Sequence, residues 1–234
     1  MKKYYTLIVL TLFFCGCLLT DKPSKQSNIK LDDTTSTVTQ LTDTVIKLRK
    51  LDKLFTVGDF DGDGHKDTIF EHNFSRLSKT EIDSSADPSK YEFDIIWQWL
   101  YKQDADLYLA FNKDNQDTLH LGISGGLHCL FNIGDINLDG KDELAFVKDN
   151  CDVSRLNSCR IYSMCNKKWT ALKFIGINEN VFIFDPKTET LPTTGVKGYL
   201  ERQNNKWVYY DNFWYFDGSH EDTTMQILKL DKCK

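Results

Sequence analysis

The feature that most constrains the fold is a cluster of aspartates between two apolar segments, FTVGDFDGDGHKDTIF at residues 55–70. Four aspartates fall within nine residues. At about 5 Å separation and an effective dielectric constant near 20, each pair would repel by roughly 3 kcal/mol. Such repulsion calls for a compensating cation. Much the same string, FNIGDINLDGKDELAF, occurs again at residues 131–146, so the chain contains an internal repeat.

Both copies keep an oxygen-donor residue wherever a coiled calcium loop needs one. Such loops place oxygen ligands at positions one, three, five and nine, a backbone carbonyl at position seven, and glycine at position six for the sharp turn. Calcium takes six to eight oxygens, so waters would complete each shell. The predicted ligands of two calcium ions are Asp59, Asp61, Asp63, His65 and Asp67 in the first loop and Asp135, Asn137, Asp139, Lys141 and Glu143 in the second, with His65 and Lys141 acting through their carbonyls.

The flanks of these loops differ from those of an EF-hand. That motif needs a bidentate Glu at position twelve, where Phe70 and Phe146 stand here, and a helix on each side. Both flanks read as strands, which predicts a metal-bound corner between strands. Magnesium and an acidic surface turn without metal are the alternatives. Magnesium prefers a tight octahedron with several waters, and the repetition argues against a plain turn.

The loop signature resembles that of the FG-GAP and VCBS repeats of integrin-like β-propellers and bacterial surface proteins. Their pattern, G-D-[FIVL]-[DN]-x-D-G-x-x-D, is matched by residues 58–67 and, with Glu for the last Asp, by residues 134–143. The resemblance implies calcium binding and a propeller-like fold, and no particular activity. The repeat spacing of 76 residues exceeds a blade of about 40 to 50. Either the first unit carries an insertion around residues 75–101, or the architecture is a reduced, propeller-like pair of sheets.

Short segments rich in β-branched and aromatic residues predict one mainly β domain of antiparallel sheets over residues 37–234. Residues 38–48 carry apolar side chains at helical spacing, which favours a short N-terminal helix with a strand as the alternative. Residues 91–101 suit a helix as well as a strand. The calcium loops lie at 55–70 and 131–147. The predicted strands are 68–70, 107–111, 118–123, 144–147, 160–164, 170–175, 181–184 and 207–210.

The N-terminus has the features of an export signal. Two lysines precede an apolar stretch at residues 4–14, and a small residue stands directly before Cys17. Residues 1–17 therefore resemble a bacterial lipoprotein signal, in which Cys17 receives the lipid. A plain secretory signal and an uncleaved anchor are the alternatives. Residues 18–36 are polar and predict a flexible tether. The protein is expected in the cell envelope, exported and lipid-anchored to a bacterial membrane.

Export changes how the five later cysteines are interpreted. In an oxidising compartment a disulfide is expected. Cys151 and Cys159 would close a short polar loop, although connectivity cannot be read from a sequence. A zinc site is the alternative, but the chain contains no C-x-x-C pair.

Features that would indicate catalysis are weak. Residues 122–126, GISGG, fit the G-x-S-x-G pattern of serine hydrolases, but the helix that this motif needs after Ser124 is not predicted. Aromatic residues at 97–101 and 207–216 fill a β core more often than they bind sugars. The net charge of −5 gives no sign of nucleic-acid binding. The expected function is a calcium-binding envelope lipoprotein, a non-catalytic binding or scaffolding module for a protein or glycan ligand; the alternative is a carbohydrate-active enzyme or an accessory glycan-binding subunit.

Overall fold

The structure is a computed structural model that describes residues 46–112, 117–182, 194–211 and 224–233. This part of the chain is mainly β. This part contains one α-helix, α1 at Phe93–Lys102, and a 3₁₀ helix at Glu179–Phe182. Its strands are β1 Leu48–Lys50, β2 Phe55–Gly58, β3 Asp67–Ser75, β4 Thr80–Glu81, β5 Ser84–Ala86, β6 Ala105–Phe111, β7 Leu119–Gly122, β8 Leu127–Gly134, β9 Glu143–Lys148, β10 Leu156–Cys165, β11 Lys168–Asn178, β12 Leu200–Gln203, β13 Lys206–Tyr209 and β14 Gln226–Ile227.

Within the described residues these strands form four sheets. The five-stranded sheet has the order β2-β3-β6-β7, with β4 paired to β3. The four-stranded sheet has the order β11-β10-β9-β8, the three-stranded sheet the order β12-β13-β14, and β1 pairs with β5. Every pair is antiparallel. The predicted mainly β, antiparallel class is therefore confirmed.

The two repeated segments fold as two hairpins of the same kind. β2 pairs with β3, and Gly58 lies opposite Asp67 at the end of the pairing. β8 pairs with β9 in the same way, and Gly134 lies opposite Glu143. In both hairpins the acidic loop starts after the glycine and closes at the acid opposite it. The sequence repeat is thus also a structural repeat, and each acidic loop is a corner between two strands.

The four-stranded sheet is a middle layer, because apolar side chains cover both of its faces. On β9, Leu144 packs in one cluster with Ile69 of the five-stranded sheet. Val147 packs in another cluster with Trp207 of the three-stranded sheet. Successive side chains of a strand point to opposite faces, so the continuous apolar run of β9 is buried on both sides. Full burial of an aliphatic side chain stabilises the fold by about 1.5–3 kcal/mol.

Residues 91–101, which suit either a helix or a strand, contain most of α1. Ile96 and Leu100 lie one turn apart and are buried in a third cluster with Ala105 of β6. Lys102 lies in the last turn, where a positive charge stabilises the helix dipole. Burial of these two side chains on one face therefore stabilises this segment as a helix.

Two predicted elements are wrong where the structure describes them. Leu48, expected in a helix, lies in β1 and pairs with Ala86 of β5, so cross-strand pairing overrides the helical spacing. Ile46 and Lys47, directly before it, belong to no helix or strand, and residues 38–45 lie outside the described residues. Residues 181–182, expected in a strand, lie in the 3₁₀ helix. Asn178 Oδ1 accepts a hydrogen bond from Asn180 N at 2.9 Å, which turns the chain out of β11.

The protein contains a disulfide, as expected, but the pairing of Cys151 with Cys159 is wrong. The structure joins Cys165 to Cys233, whereas Cys151 and Cys159 are free thiols. Cys159 packs in the cluster between the middle and three-stranded sheets, and Cys151 packs in the cluster beneath α1. Because the two side chains enter different cores, they do not pair.

The predicted signal, Cys17 and the tether lie outside the described residues. No helix within those described is long and apolar enough to cross a membrane.

Candidate metal centres

The first acidic loop is held in shape by its own carboxylates. Asp59 Oδ1 and Oδ2 accept hydrogen bonds from Gly62 N and Gly64 N, each at 3.0 Å. Asp61 Oδ1 accepts a hydrogen bond from Asp63 N at 3.1 Å. Asp and Asn favour turns because their short side chains can bond to nearby backbone in this way. The backbone of this loop therefore coils around its acidic side chains.

The second loop uses closely similar bonds, although Oδ1 of its first acid bonds to position five and not to position four. Asp135 Oδ1 accepts from Asp139 N at 3.0 Å, and Asp135 Oδ2 accepts from Gly140 N at 2.9 Å. Asn137 Oδ1 also accepts from Asp139 N, at 2.9 Å. In both loops, Oδ2 of the first acid bonds to the glycine at position six. The two copies thus share their fold down to individual side-chain contacts.

Both loops require left-handed backbone at two positions. At position six, Gly64 has φ +84° and Gly140 has φ +90°. At position four, Gly62 has φ +77°, whereas Leu138 has φ +60°. A residue with a Cβ is strained by roughly 1–2 kcal/mol in this region. Since the Leu138 side chain is 74% exposed, little packing offsets its strain.

Three carboxylates converge in each loop. Asp59, Asp61 and Asp67 have carboxylate oxygens within 4.8 Å of one another. The same holds for a second set in the other loop, formed by Asp135, Asp139 and Glu143. At this separation each pair of charges repels by roughly 3 kcal/mol. A divalent cation among the oxygens would offset the repulsion.

Glu143 is the acid whose surroundings most favour a bound cation. The residue is fully buried. Its Oε2 accepts a hydrogen bond from Ile136 N at 2.7 Å, but its Oε1 receives none from the residues that the structure describes. Burial raises the pKa of Glu143 to about 7. A buried polar atom without a partner costs about 1–3 kcal/mol, and more when it is charged. A cation beside Oε1 would remove that cost.

The other predicted ligands take different positions. Asp63 lies outside the converging set of the first loop and accepts a hydrogen bond from His65 N at 2.8 Å. The His65 side chain is 80% exposed, as expected if only its carbonyl serves the loop. Asn137 Nδ2 lies 3.3 Å from Asp139 Oδ2, beside the second set. The ammonium of Lys141 donates to a backbone carbonyl of β10 at 2.7 Å.

Two residues outside the predicted ligand sets join the loops. Asp142 Oδ2 accepts hydrogen bonds from Asp59 N at 3.0 Å and from Asn132 Nδ2 at 2.7 Å. In the repeat, Asp142 stands where the first loop has Lys66. A reversal of charge at one position of two otherwise similar loops is the sequence signal that marks Asp142.

The serine of the G-x-S-x-G pattern is a structural residue. Ser124 is fully buried, and its hydroxyl lies 2.7 Å from Asp149 O and 2.8 Å from Gly126 O. The chain continues into β8 and not into a helix. Ser124 therefore lacks the exposed position that a nucleophile elbow requires.

The candidate glycan-binding aromatics divide into two groups. Trp207 belongs to the core, and its Nε1 donates a hydrogen bond to Ile133 O at 2.7 Å. Trp97 and Tyr101, on α1, are 41% and 69% exposed. Residues 212–216 lie outside the described residues. A glycan-binding surface stays a prediction.

No family model, characterised protein or solved structure matches this chain. The resemblance to FG-GAP and VCBS repeats therefore depends on the two acidic loops alone.

Proposed function

We propose that this protein binds one calcium ion in each acidic loop, and that calcium is a structural part of a non-catalytic module at the cell envelope. The observation that carries the proposal is the buried Glu143, whose Oε1 has no hydrogen-bond donor among the described residues. The first loop supports it by repetition, since Asp67 is equally buried at the corresponding position. Two like sites imply two ions.

The donor chemistry favours calcium among common metals. Carboxylate, amide and carbonyl oxygens are the ligands of hard cations, and calcium accepts six to eight of them in flexible arrangements. Zinc and other transition metals favour imidazole or thiolate, yet the converging sets contain carboxylates alone. Asp59, Asp61, Asp67, Asp135, Asp139 and Glu143 would bind the ions most directly, with Asp63, Asn137 and the carbonyls of His65 and Lys141 close by.

A structural role follows from where the loops lie. Each loop joins the ends of two paired strands, and the second hairpin belongs to the middle sheet. An ion would neutralise the acids at this corner and hold the strand ends together. At a free concentration about 100 times its dissociation constant, one ion would stabilise the fold by roughly 2.7 kcal/mol. Export through the lipoprotein signal, with Cys17 as the anchor, would expose the protein to extracellular calcium.

Binding or scaffolding is the function that this arrangement best supports. The described residues hold one candidate nucleophile motif, and its serine is buried and bonded to the backbone. The converging carboxylates would be occupied by metal. A propeller-like relationship to FG-GAP and VCBS proteins belongs to the same proposal, which the loop signature supports.

The test compares two buried glutamates. Glu143→Gln removes the carboxyl group beside the second site, whereas Glu71→Gln removes a buried carboxyl group whose two oxygens accept backbone hydrogen bonds from Leu54 and Leu127. Equilibrium dialysis of the purified, tag-free protein against radioactive calcium should give two ions per chain for the wild type and for Glu71→Gln, and one for Glu143→Gln. No uptake by the wild type, or equal uptake by all three proteins, would refute the proposal.

A further inference from the structure

We infer that the two loops act as one cooperative calcium-binding unit, in which Asn132 and Asp142 are positioning residues that couple the sites. The inference rests on the proposed function and adds to it. In independent loops, an ion bound to one loop would not change the affinity of the other. Coupled loops would bind the second ion more tightly than the first.

The first link is a pair of hydrogen bonds between Asp59 and Asp142. Asp142 N donates to Asp59 O at 2.8 Å, and Asp59 N donates to Asp142 Oδ2 at 3.0 Å. Asp59 is the first acid of loop one. Asp142 stands between Lys141 and Glu143, which are predicted ligands of loop two. The backbone of one ligand residue is thus bonded directly to the ligand-bearing segment of the other loop.

The second link is the side chain of Asn132 in β8. Its Nδ2 donates to Asp142 Oδ2 at 2.7 Å and to Val57 O of β2 at 3.1 Å. Its Oδ1 accepts from Gly134 N at 2.6 Å, directly before the first acid of loop two. One amide therefore connects the strand entering loop one, the strand entering loop two and the end of loop two.

The contact between the loops is close. A Cβ on Gly58 would lie 2.3 Å from Asn132 Nδ2 and 2.7 Å from Asp142 Oδ2. A Cβ on Gly62 would lie 2.8 Å from Lys141 Cγ. At such distances a side chain could not be added to either glycine without moving atoms of the second loop, so the two loops lie in close contact here.

Shared ordering gives the coupling a positive sign. An ion in loop one fixes Asp59, and through the two backbone bonds it fixes Asp142 beside the ligands of loop two. The second ion then meets a segment that is already ordered and loses less conformational entropy on binding. Repulsion between the two ions opposes this effect, but salt screens it over a Debye length of about 8 Å at physiological ionic strength.

The test is a thermodynamic cycle measured by calorimetry on the full chain at physiological salt. Asp61→Ala with Asp63→Ala removes loop one, and Asp135→Ala with Asp139→Ala removes loop two. The coupling ratio is the product of the two wild-type association constants divided by the product of the association constants of the two single-loop proteins. Coupling energies between sites typically correspond to about 5-fold to 150-fold, so we expect a ratio of at least about five.

The positioning residues are tested in the same cycle. Asn132→Ala and Asp142→Ala each remove the side-chain hydrogen bonds at the junction and should each lower the ratio toward one. Asn157→Ala and Asp152→Ala are the matched controls and should leave it unchanged. Asn157 bonds to Lys148 O at the other end of β9, and Asp152 bonds to Ser154 in the loop before β10.

The outcomes separate the two proposals. Wild-type protein that binds fewer than two ions contradicts the proposed function. Two ions bound with a ratio near one would leave the proposed function intact and overturn the coupling. A ratio that survives both substitutions at the junction would overturn the role of Asn132 and Asp142.

Discussion

Glu71 Oε1 accepts a hydrogen bond from Leu127 N at 3.0 Å, and this contact joins the five-stranded sheet to the middle sheet. The other oxygen accepts from Leu54 N at 2.9 Å. Burial raises the pKa of Glu71 from 4.5 to about 7, although the two backbone bonds oppose the shift. The folded protein therefore retains a proton at this contact that the unfolded chain releases.

Stability should fall as the pH rises because of this proton. Between pH 4.5 and about 7 the folded state binds more protons at Glu71 than the unfolded state does, so the free energy of unfolding decreases through this window. The contribution is fully present below pH 4.5 and lost above about 7. A shift of this size corresponds to roughly 3 kcal/mol. Urea unfolding at a series of pH values, with saturating calcium, measures it.

Glu71→Gln is the control for that titration. Glutamine does not titrate and offers one acceptor to two backbone donors, so the variant should be less stable than the wild type at low pH. The difference between the two proteins should shrink as the pH rises. A difference that stays constant across the window would contradict the assignment to Glu71.

Two glycines of the first loop should respond differently to alanine. Gly64 and Gly62 both have positive φ, so a Cβ at either costs roughly 1–2 kcal/mol. A Cβ on Gly64 meets no atom within 4 Å, whereas one on Gly62 meets Lys141 of the other loop. We expect Gly64→Ala to show the backbone cost alone and Gly62→Ala to be less stable by a further about 1 kcal/mol or more. Chemical unfolding at saturating calcium measures both, and equal losses would contradict the contact between the loops.

The local design of the loops could be predicted from the sequence. Asp59 and Asp135 fold their loops through bonds to residues three to five positions away, and the glycines at position six supply the turn. Such contacts depend on spacing along the chain, which a sequence displays directly. Strand pattern was equally visible at β9, where alternate residues face two apolar layers.

The long-range contacts could not be predicted in this way. Asn132 and Asp142 become important because two hairpins 76 residues apart pack side by side, and no spacing rule describes that packing. The disulfide is a similar case. Cys151 and Cys159 are close in sequence, but Cys159 enters one core from β10, whereas Cys151 enters another from the loop between β9 and β10.

Cys17 should carry the lipid. In a bacterial host grown with labelled fatty acid, the wild-type protein should incorporate label and remain with the membrane fraction. Cys17→Ser should abolish the incorporation of label, because the serine hydroxyl does not replace the thiol in this attachment. Cys15→Ser is the matched control, since Phe14 and not a small residue precedes it. Label on the Cys17→Ser protein would rule out this anchor.

The disulfide between Cys165 and Cys233 should support the second loop. It fastens the C-terminal segment over the loop, where Lys232 Nζ donates to Leu138 O at 2.8 Å and Asn137 Nδ2 lies 3.3 Å from Asp231 O. The bridge spans 68 residues, for which the chain-entropy treatment gives about 4 kcal/mol. Replacing both cysteines by serine should lower the free energy of unfolding by about 2–4 kcal/mol, measured with urea.

Calcium affinity provides the second readout for this bridge. Loss of the contacts that Asp231 and Lys232 make with loop two should weaken calcium binding by this loop about fivefold, since one hydrogen bond is worth about 1 kcal/mol. Calorimetry in the background that lacks loop one isolates this effect. A reductant should bring the wild type to the level of the double serine variant and leave that variant unchanged. If reduction alters stability but not the affinity of loop two, the disulfide stabilises the fold without supporting the metal site.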